Sequence, residues 1–457
     1  MFSNIPLASI HKCALALKFL VLLAFSGLNM ASESPFSTIL PMKERAAVID
    51  ELTAKRVNTL LPKLMKDTGL DMWVLISREY NEDPVLKTML PATWLSARRT
   101  TILVFALDKQ GDVNAYAVAP YKIGNVFISA WDKHNQPDQW QALVDLMDKY
   151  QPKRIGVNTS EHWAHADGLV VTDQKKLQAK LPTKYQQRLT SAEPLAVGWL
   201  EQRIDEEIPY FKQAVAIAQA IIAQGFSNEV ITPGKTTTDD LVWWLRERVR
   251  ELKLQTWFHP SVSIQRDDKR KFDHESSFTN VDSDNVIQPG DLLHVDFGIV
   301  YLRLNTDTQQ HAYVLKEGET SPPEYLQAAL HSGNQVQDAL LEQFKVGRTG
   351  NEVLKMARET AIARGLKPTI YTHPLGLHGH AAGTTIGMWD AQQGKPGDGD
   401  YPLHLNTAYS IELSNDIYLE QWQKQIRIML EEDAFFIADG VFYLNGRQKQ
   451  LHTIKAR

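Results

Sequence analysis

A chain of 457 residues exceeds the size at which a single hydrophobic core usually stops growing, and 43% hydrophobic with 23% charged residues lets two domains each bury a core. A formal charge of −5 over that length excludes a basic nucleic-acid-binding face as the organising feature. The only cysteine, Cys13, lies in the N-terminal apolar run, so a chain cleaved beyond that run forms no disulfide.

Lys12 precedes the apolar run from Cys13 to about Gly27, which Lys18 interrupts and small and polar residues follow. Its charge-free part, Phe19–Met30, is twelve residues long, short of the ~20 that span a membrane and typical of a secretory signal peptide. Residues 1–31 are therefore expected to be a signal peptide, and the protein to be exported, periplasmic or secreted, without a stable membrane anchor.

Apolar positions from Lys43 to Lys66 recur at helical spacing, with Pro62 as a possible kink. Met72–Ile76, Thr101–Ala106, Val113–Ala119 and Arg154–Val157 read as strands, and Gln139–Tyr150 as a helix. This alternation predicts an α/β domain over residues 32–195. Glu193–Trp199, with Pro194 and Gly198, predicts a linker. The longer helices Glu206–Ala223 and Thr238–Leu252 then open a second domain over residues 200–457. Trp243 and Trp244 read as packing residues and Gln265–Glu275 as a solvated charged loop. Leu326–Phe344 and Asn351–Ala363 are amphipathic helices suited to lie on a sheet.

The chemistry concentrates in Leu292–Leu315, where Asp296 and Asp307 sit eleven residues apart in strand-like sequence that folds back near Tyr301–Asn305. A buried carboxylate shifts its pKa or needs a compensating cation. Three later segments bring further metal-ligating types: GHAAG with His380, YSIEL with Glu412, and RIMLEEDAFFI with Glu431 or Glu432. Four converging carboxylates carry −4, which two divalent ions balance. Oxygen-rich ligation with one imidazole suits Mn²⁺, Co²⁺, Zn²⁺ or Fe²⁺, and such a pair lowers the pKa of a bridging water and polarises an amide carbonyl.

The order Asp, Asp, His, Glu, Glu, carried by HVDFG, NTD, GHxxG, IEL and a final acidic strand, resembles the dinuclear metallopeptidases that include methionine aminopeptidases, Xaa-Pro aminopeptidases and Xaa-Pro dipeptidases (prolidases). The resemblance covers about residues 205–440. It implies a creatinase-like N-terminal α/β domain followed by a pita-bread catalytic domain of α+β type. It also implies two divalent ions, manganese foremost, with Asp296, Asp307, His380, Glu412 and Glu431 as ligands and Glu412 also transferring protons. Counting back from Asp439-Gly440 favours Glu431 over Glu432. His274 is similar to a family histidine that contacts substrate, His259 could line the same pocket, and Arg427 resembles an arginine placed before the final glutamate.

Two departures stand out. The family histidine that follows GHxxG and stabilises the tetrahedral intermediate falls near Trp389–Asp390, where no histidine stands. His378 or His373 could substitute for it, and either could be the metal ligand in place of His380. The usual Thr-Arg-Thr after the second aspartate is replaced by Thr308-Gln309-Gln310-His311.

The resulting expectation is an exported exopeptidase that hydrolyses an amide bond beside proline in small peptides, by attack of a metal-activated hydroxide, as a homodimer or homotetramer. The alternatives are a metal-free creatinase-like enzyme, a non-catalytic binding protein on the same fold, and a protein whose acids hold only structural calcium.

Overall fold

Strands that are apolar at nearly every position are stable only with both faces covered. The structure, a computed structural model describing residues 34–268 and 285–456, meets that demand in its first half. Met72–Arg78 (β1) and Thr100–Leu107 (β2) pair antiparallel at the centre of a six-stranded sheet of order β4-β3-β2-β1-β5-β6. The remaining strands are Val113–Ala117 (β3), Ile128–Ser129 (β4), Ile155–Val157 (β5) and Leu189–Ser191 (β6).

Trp73, Leu75, Leu103 and Phe105 point to one side of this sheet. They pack on helices Met42–Thr68 (α1), Pro84–Met89 (α2) and, beyond Gln139–Tyr150 (α3), Val171–Lys180 (α4) and Thr183–Gln186 (α5), on Glu193–Glu201 (α6). Met72, Val74, Ile76, Ile102, Val104 and Ala106 point to the other, onto α3, α4 and α5. The period of two in a strand thus sorts one apolar sequence into two cores. Helix α1 runs through Pro62 and stops where Gly69 adopts φ 66°.

The stretch expected to be a linker, 193–199, is instead the buried helix α6. Pro194 sits in its first turn, where a missing N–H costs nothing, and Leu195–Leu200 pack into the core of the first sheet. The signal-peptide segment lies outside the described residues. Pro35–Thr38 is a 3-10 turn, and from Ile39 onward the chain makes one compact unit. No helix among the described residues is long and apolar enough to cross a membrane.

After helices Ile208–Gly225 (α7) and Thr238–Glu251 (α8) come the strands that position the site. Ser261–Gln265 (β7), Leu292–Phe297 (β8), Thr308–Val314 (β11) and His452–Ile454 (β19) form one sheet in the order β19-β11-β8-β7. Between β8 and β11 lies the small hairpin Val300–Tyr301 (β9) and Leu304–Asn305 (β10). Its two central residues, Leu302 and Arg303, have φ of 54° and 66°, the hand that matches strand twist. Arg303 Nη1 and Nη2 donate to the carbonyls of Thr88 and Leu90 (3.0 and 2.8 Å), which holds a non-glycine turn the sequence did not signal.

Helices Glu324–Leu341 (α9) and Gly350–Ala363 (α10) pack on two further sheets, as their amphipathic pattern predicts. One holds Pro368–Ile370 (β12), Leu413–Leu419 (β15) and Lys424–Leu430 (β16). The other holds His373–Leu375 (β13), Thr407–Ser410 (β14), Asp433–Ile437 (β17) and Gly440–Tyr443 (β18). The chain changes sheet twice, between β14 and β15 at Ile411-Glu412 and between β16 and β17 at Glu431-Glu432. Such breaks in pairing re-aim side chains.

Candidate metal centre

Asp296 on β8 and Asp307, just before β11, are brought together by antiparallel pairing in which Thr308 faces Phe297 and Gln309 faces Asp296. Gln309 also exchanges backbone hydrogen bonds with Glu431, which draws the β16–β17 break onto β11. Glu412 arrives from the β14–β15 break, and His373 opens β13 opposite Ser410. Five side chains distant in sequence thus meet.

Ligand atoms of Asp296, Asp307 and Glu431 lie within 4.8 Å of one another, as do those of His373, Glu412 and Glu431, so the two triads share Glu431. His373 Nε2 stands 3.8 Å from Asp307 Oδ2, 3.9 Å from Glu412 Oε2 and 3.6 Å from Glu431 Oε1. These separations are too long for hydrogen bonds and suit donors that each approach one ion at about 2.1 Å. His373 Nδ1 lies 3.0 Å from the Pro374 carbonyl, which only accepts, so Nδ1 carries the proton and Nε2 presents its lone pair to the carboxylates. Asp296 Oδ1, Asp307 Oδ1 and His373 Nε2 are buried with no hydrogen-bond partner. Native interiors rarely leave such atoms unsatisfied, and a divalent cation satisfies all three. The residues present therefore fit a metal centre.

The electrostatics agree. Burial, then the neighbouring Glu431, holds Asp296, Asp307 and Glu412 well above the ordinary carboxylate range. Acids crowded in a dry site give up their charge unless a cation compensates it. Surrounding groups hold the site in place: Ser410 Oγ donates to Glu431 Oε1 (2.6 Å), and Asp433 Oδ1 accepts from the backbone N–H of Asp307 (3.1 Å).

Glu432 turns the other way. It accepts from Gln219 and Gln310 side chains and the Gln448 N–H, and burial lifts it to about 7. Glu431 is thus the glutamate of that pair facing the centre.

The two outer histidines divide differently from the expectation. His380 is more exposed than His373, with its ring at 87° to His373 and the centroids 4.7 Å apart, and it joins Asp307 and His373 in a third group of ligand atoms within 4.8 Å, one that contains neither glutamate. His373 touches both triads. Burial and then the adjacent His373 lower His380 to about 4, leaving it a neutral imidazole. His380 follows His373 by seven residues, so a histidine does stand shortly after the metal-facing one, and Trp389 is partly exposed elsewhere. Trp257 lies edge-on to His380 at 5.0 Å and occupies space that a Cβ at Gly379 or Gly298 would fill.

His378 points toward the first half of the chain, its ring 4.5 Å from His165 and its Nδ1 buried without a partner. Burial, with His165 next, lowers it to about 3. His259 is held outside the cluster by Arg246 Nη1 (2.9 Å to Nδ1) and by the ring of Trp243. Trp243 is 52% exposed, which corrects its reading as a packing residue; Trp244 does pack, against Gly225. Arg427 donates from Nε to Asp416 Oδ1 at 2.8 Å within the β15–β16 pair. His274 lies outside the described residues. Gln309, His294, Ser410 and Asp433 surround the ligands and had no sequence signal beyond their places in or beside strands.

Residues 210–436 match the model of metallopeptidase family M24. No curated protein matches the chain in sequence. Among solved structures, the X-Pro aminopeptidase from Thermotoga maritima MSB8 aligns with TM-score 0.60 and 17% identity, over 86% of this chain and 99% of its own. The Xaa-Pro dipeptidase from Bacillus anthracis aligns with TM-score 0.55 and 16% identity, over 89% and 99%. The N-terminal domain of FACT complex subunit SPT16 from Cicer arietinum (chickpea) also aligns, with TM-score 0.55 and 12% identity over 89% and 99%. At these identities the likeness is one of fold. Through its residues 210–436, the chain belongs to metallopeptidase family M24, with the pita-bread fold preceded by an α/β region.

Proposed function

We propose that this protein is an exported dinuclear-metal exopeptidase that hydrolyses the amide bond beside proline in small peptides. One observation carries the reading: buried, partnerless atoms of Asp296, Asp307 and His373 face the same space as Glu412 and Glu431. Because the same fold occurs in a FACT complex subunit domain, fold alone does not assign hydrolysis; the intact donor set is what supports it. Proline direction is supported by the X-Pro aminopeptidase and Xaa-Pro dipeptidase that share the fold, export by the Lys12-led apolar segment, and a homodimer or homotetramer only by family resemblance.

Asp296, Asp307 and Glu431 would hold one divalent ion, and His373, Glu412 and Glu431 the other, manganese being the first choice for this oxygen-rich set. When bound, such ions activate water and polarise the scissile carbonyl. The chain's own residues do the rest. Glu412, one oxygen tied to Gln309 and the other free toward the centre, takes the proton of the attacking water and returns it to the leaving amine. Neutral His380, beside Asp307 and open to solvent, offers an N–H to the oxygen that gains charge. Trp257 holds that ring in place.

The test is metal content by elemental analysis on a chain starting near Ser32, with Ala-Pro and Ala-Pro-Ala hydrolysis followed after Mn²⁺, Co²⁺ or Zn²⁺ is added. Two ions per chain and metal-dependent cleavage are expected, and the preferred peptide separates dipeptidase from aminopeptidase. Metal without cleavage of either peptide would refute the proline-directed reading.

A further inference from the structure

Along β11 alternate residues share a face, so Gln309 projects beside Asp307 while Gln310 projects away, toward Glu432 and His452. The register sets Gln309 opposite Asp296, and its backbone bonds to Glu431 (3.0 and 3.2 Å) bring its amide between the two glutamates. Nε2 has two hydrogens and uses both, one on Glu412 Oε1 (2.9 Å) and one on Glu431 Oε2 (2.6 Å). Oε1 accepts from His294 Nε2 at 2.9 Å, and His294 Nδ1 lies 3.5 Å from Ser263 Oγ.

We propose that Gln309 is a clamp that holds Glu412 and Glu431 in register for a shared divalent ion, and that His294 fixes the direction of the clamp's amide. The inference rests on the metal-centre reading above. Two buried carboxylates repel and would turn apart. The amide takes one oxygen of each and leaves Glu412 Oε2 and Glu431 Oε1, the latter also accepting from Ser410 Oγ, to face His373 Nε2. A lysine here would neutralise the acids and compete with the ion, whereas a neutral amide orients them and leaves their charge for the metal. If the amide turned over, its oxygen would meet two carboxylate oxygens; the His294 N–H on Oε1 prevents this. Both are positioning residues, since each is buried, Gln309 bonding the two glutamates and His294 bonding Gln309.

The test compares wild type, Gln309→Leu, His294→Leu and His294→Gln for Mn²⁺ affinity by titration calorimetry and for the visible spectrum of bound Co²⁺. Gln309→Leu is expected to weaken the lower-affinity site about 10- to 100-fold, the usual effect of losing an outer-shell partner, and to shift the Co²⁺ bands. His294→Leu should move both readouts in the same direction by less, and His294→Gln, which can still donate to the amide oxygen, should restore them. A Gln309→Leu protein with wild-type circular dichroism, affinity and spectrum overturns the clamp while leaving the metal centre standing. If Gln309→Leu does not fold, wild-type values in His294→Leu overturn it. A wild-type chain that binds no divalent ion overturns both clamp and function.

Discussion

β2 and β11 are buried along nearly their whole lengths and are filled in opposite ways. β2 reads TTILVFAL and lies between two apolar cores, so its burial is favourable by itself, at about 25 cal/mol per Å². β11 begins TQQH, and each of those polar groups must find a partner or weaken the fold. Gln309, Gln310 and His311 do, though Thr308 Oγ1 does not: His311 Nδ1 donates to the Leu293 carbonyl and Nε2 accepts from the Met429 N–H. The ligand atoms of Asp307 and its neighbour Asp296 do not. The first region stores stability, and the second holds a deficit of the kind a bound cation would fill.

Breaking the second region at its centre should have the largest effect. Asp307→Asn should lower peptidase activity about 10⁴-fold or more, near 5 kcal/mol of barrier, and reduce Mn²⁺ stoichiometry. Wild-type turnover would remove Asp307 from the site. In the first region Trp73→Ala should lose about 3–5 kcal/mol of stability by denaturant unfolding, yet the folded fraction should bind metal as before. Altered stoichiometry there would mean the regions are not separable in this way.

The histidines sharpen the contrast within the site. His373→Ala should lose metal affinity, whereas His380→Ala should keep metal and lose about 10²-fold in kcat. The opposite outcome would restore His380 as the ligand.

Metal removal tests the deficit itself. Carboxylates raised in the folded state contribute stability below their unfolded pKa near 4, and lose it as pH rises through the folded values. At one fixed Mn²⁺ concentration the stabilisation of the fold, about 3 kcal/mol where that concentration is a hundredfold above Kd, and the Tm increase that reports it should therefore grow from pH 5 to pH 8. An increase that shrinks with pH would contradict charged acids as the ligands. The smallest effect is expected at the surface, where Trp243→Ala should change stability by about 0.5 kcal/mol or less in calorimetry.

Much of both regions was legible in one dimension because it depends on local period. Apolar runs announced β1 and β2, helical spacing announced α3 within its observed bounds, and carboxylates inside strand-like sequence announced Asp296, Asp307, Glu412 and Glu431. Counting back from Asp439-Gly440 along the family pattern favoured Glu431 and left Glu432 open, and in the structure Glu431 lies with the other acids while Glu432 is bonded to Gln219, Gln310 and Gln448.

Three features were not legible. Helix α6 carries Pro and Gly, which read as a break, but its apolar face is drawn into the first core. Among His373, His378 and His380, local sequence offers equivalent imidazoles, and only the pairing of His373 with Ser410 aims one at both glutamates. Gln309 has no signal at all, since an amide becomes a clamp only where two acids from other strands arrive beside it. The sequence by itself determined which residue types were present and which face of a strand or helix each would take, because those follow from backbone period. Which histidine meets the acids, and what holds the acids apart, was decided only by tertiary structure, because both depend on pairing register between strands distant in the chain.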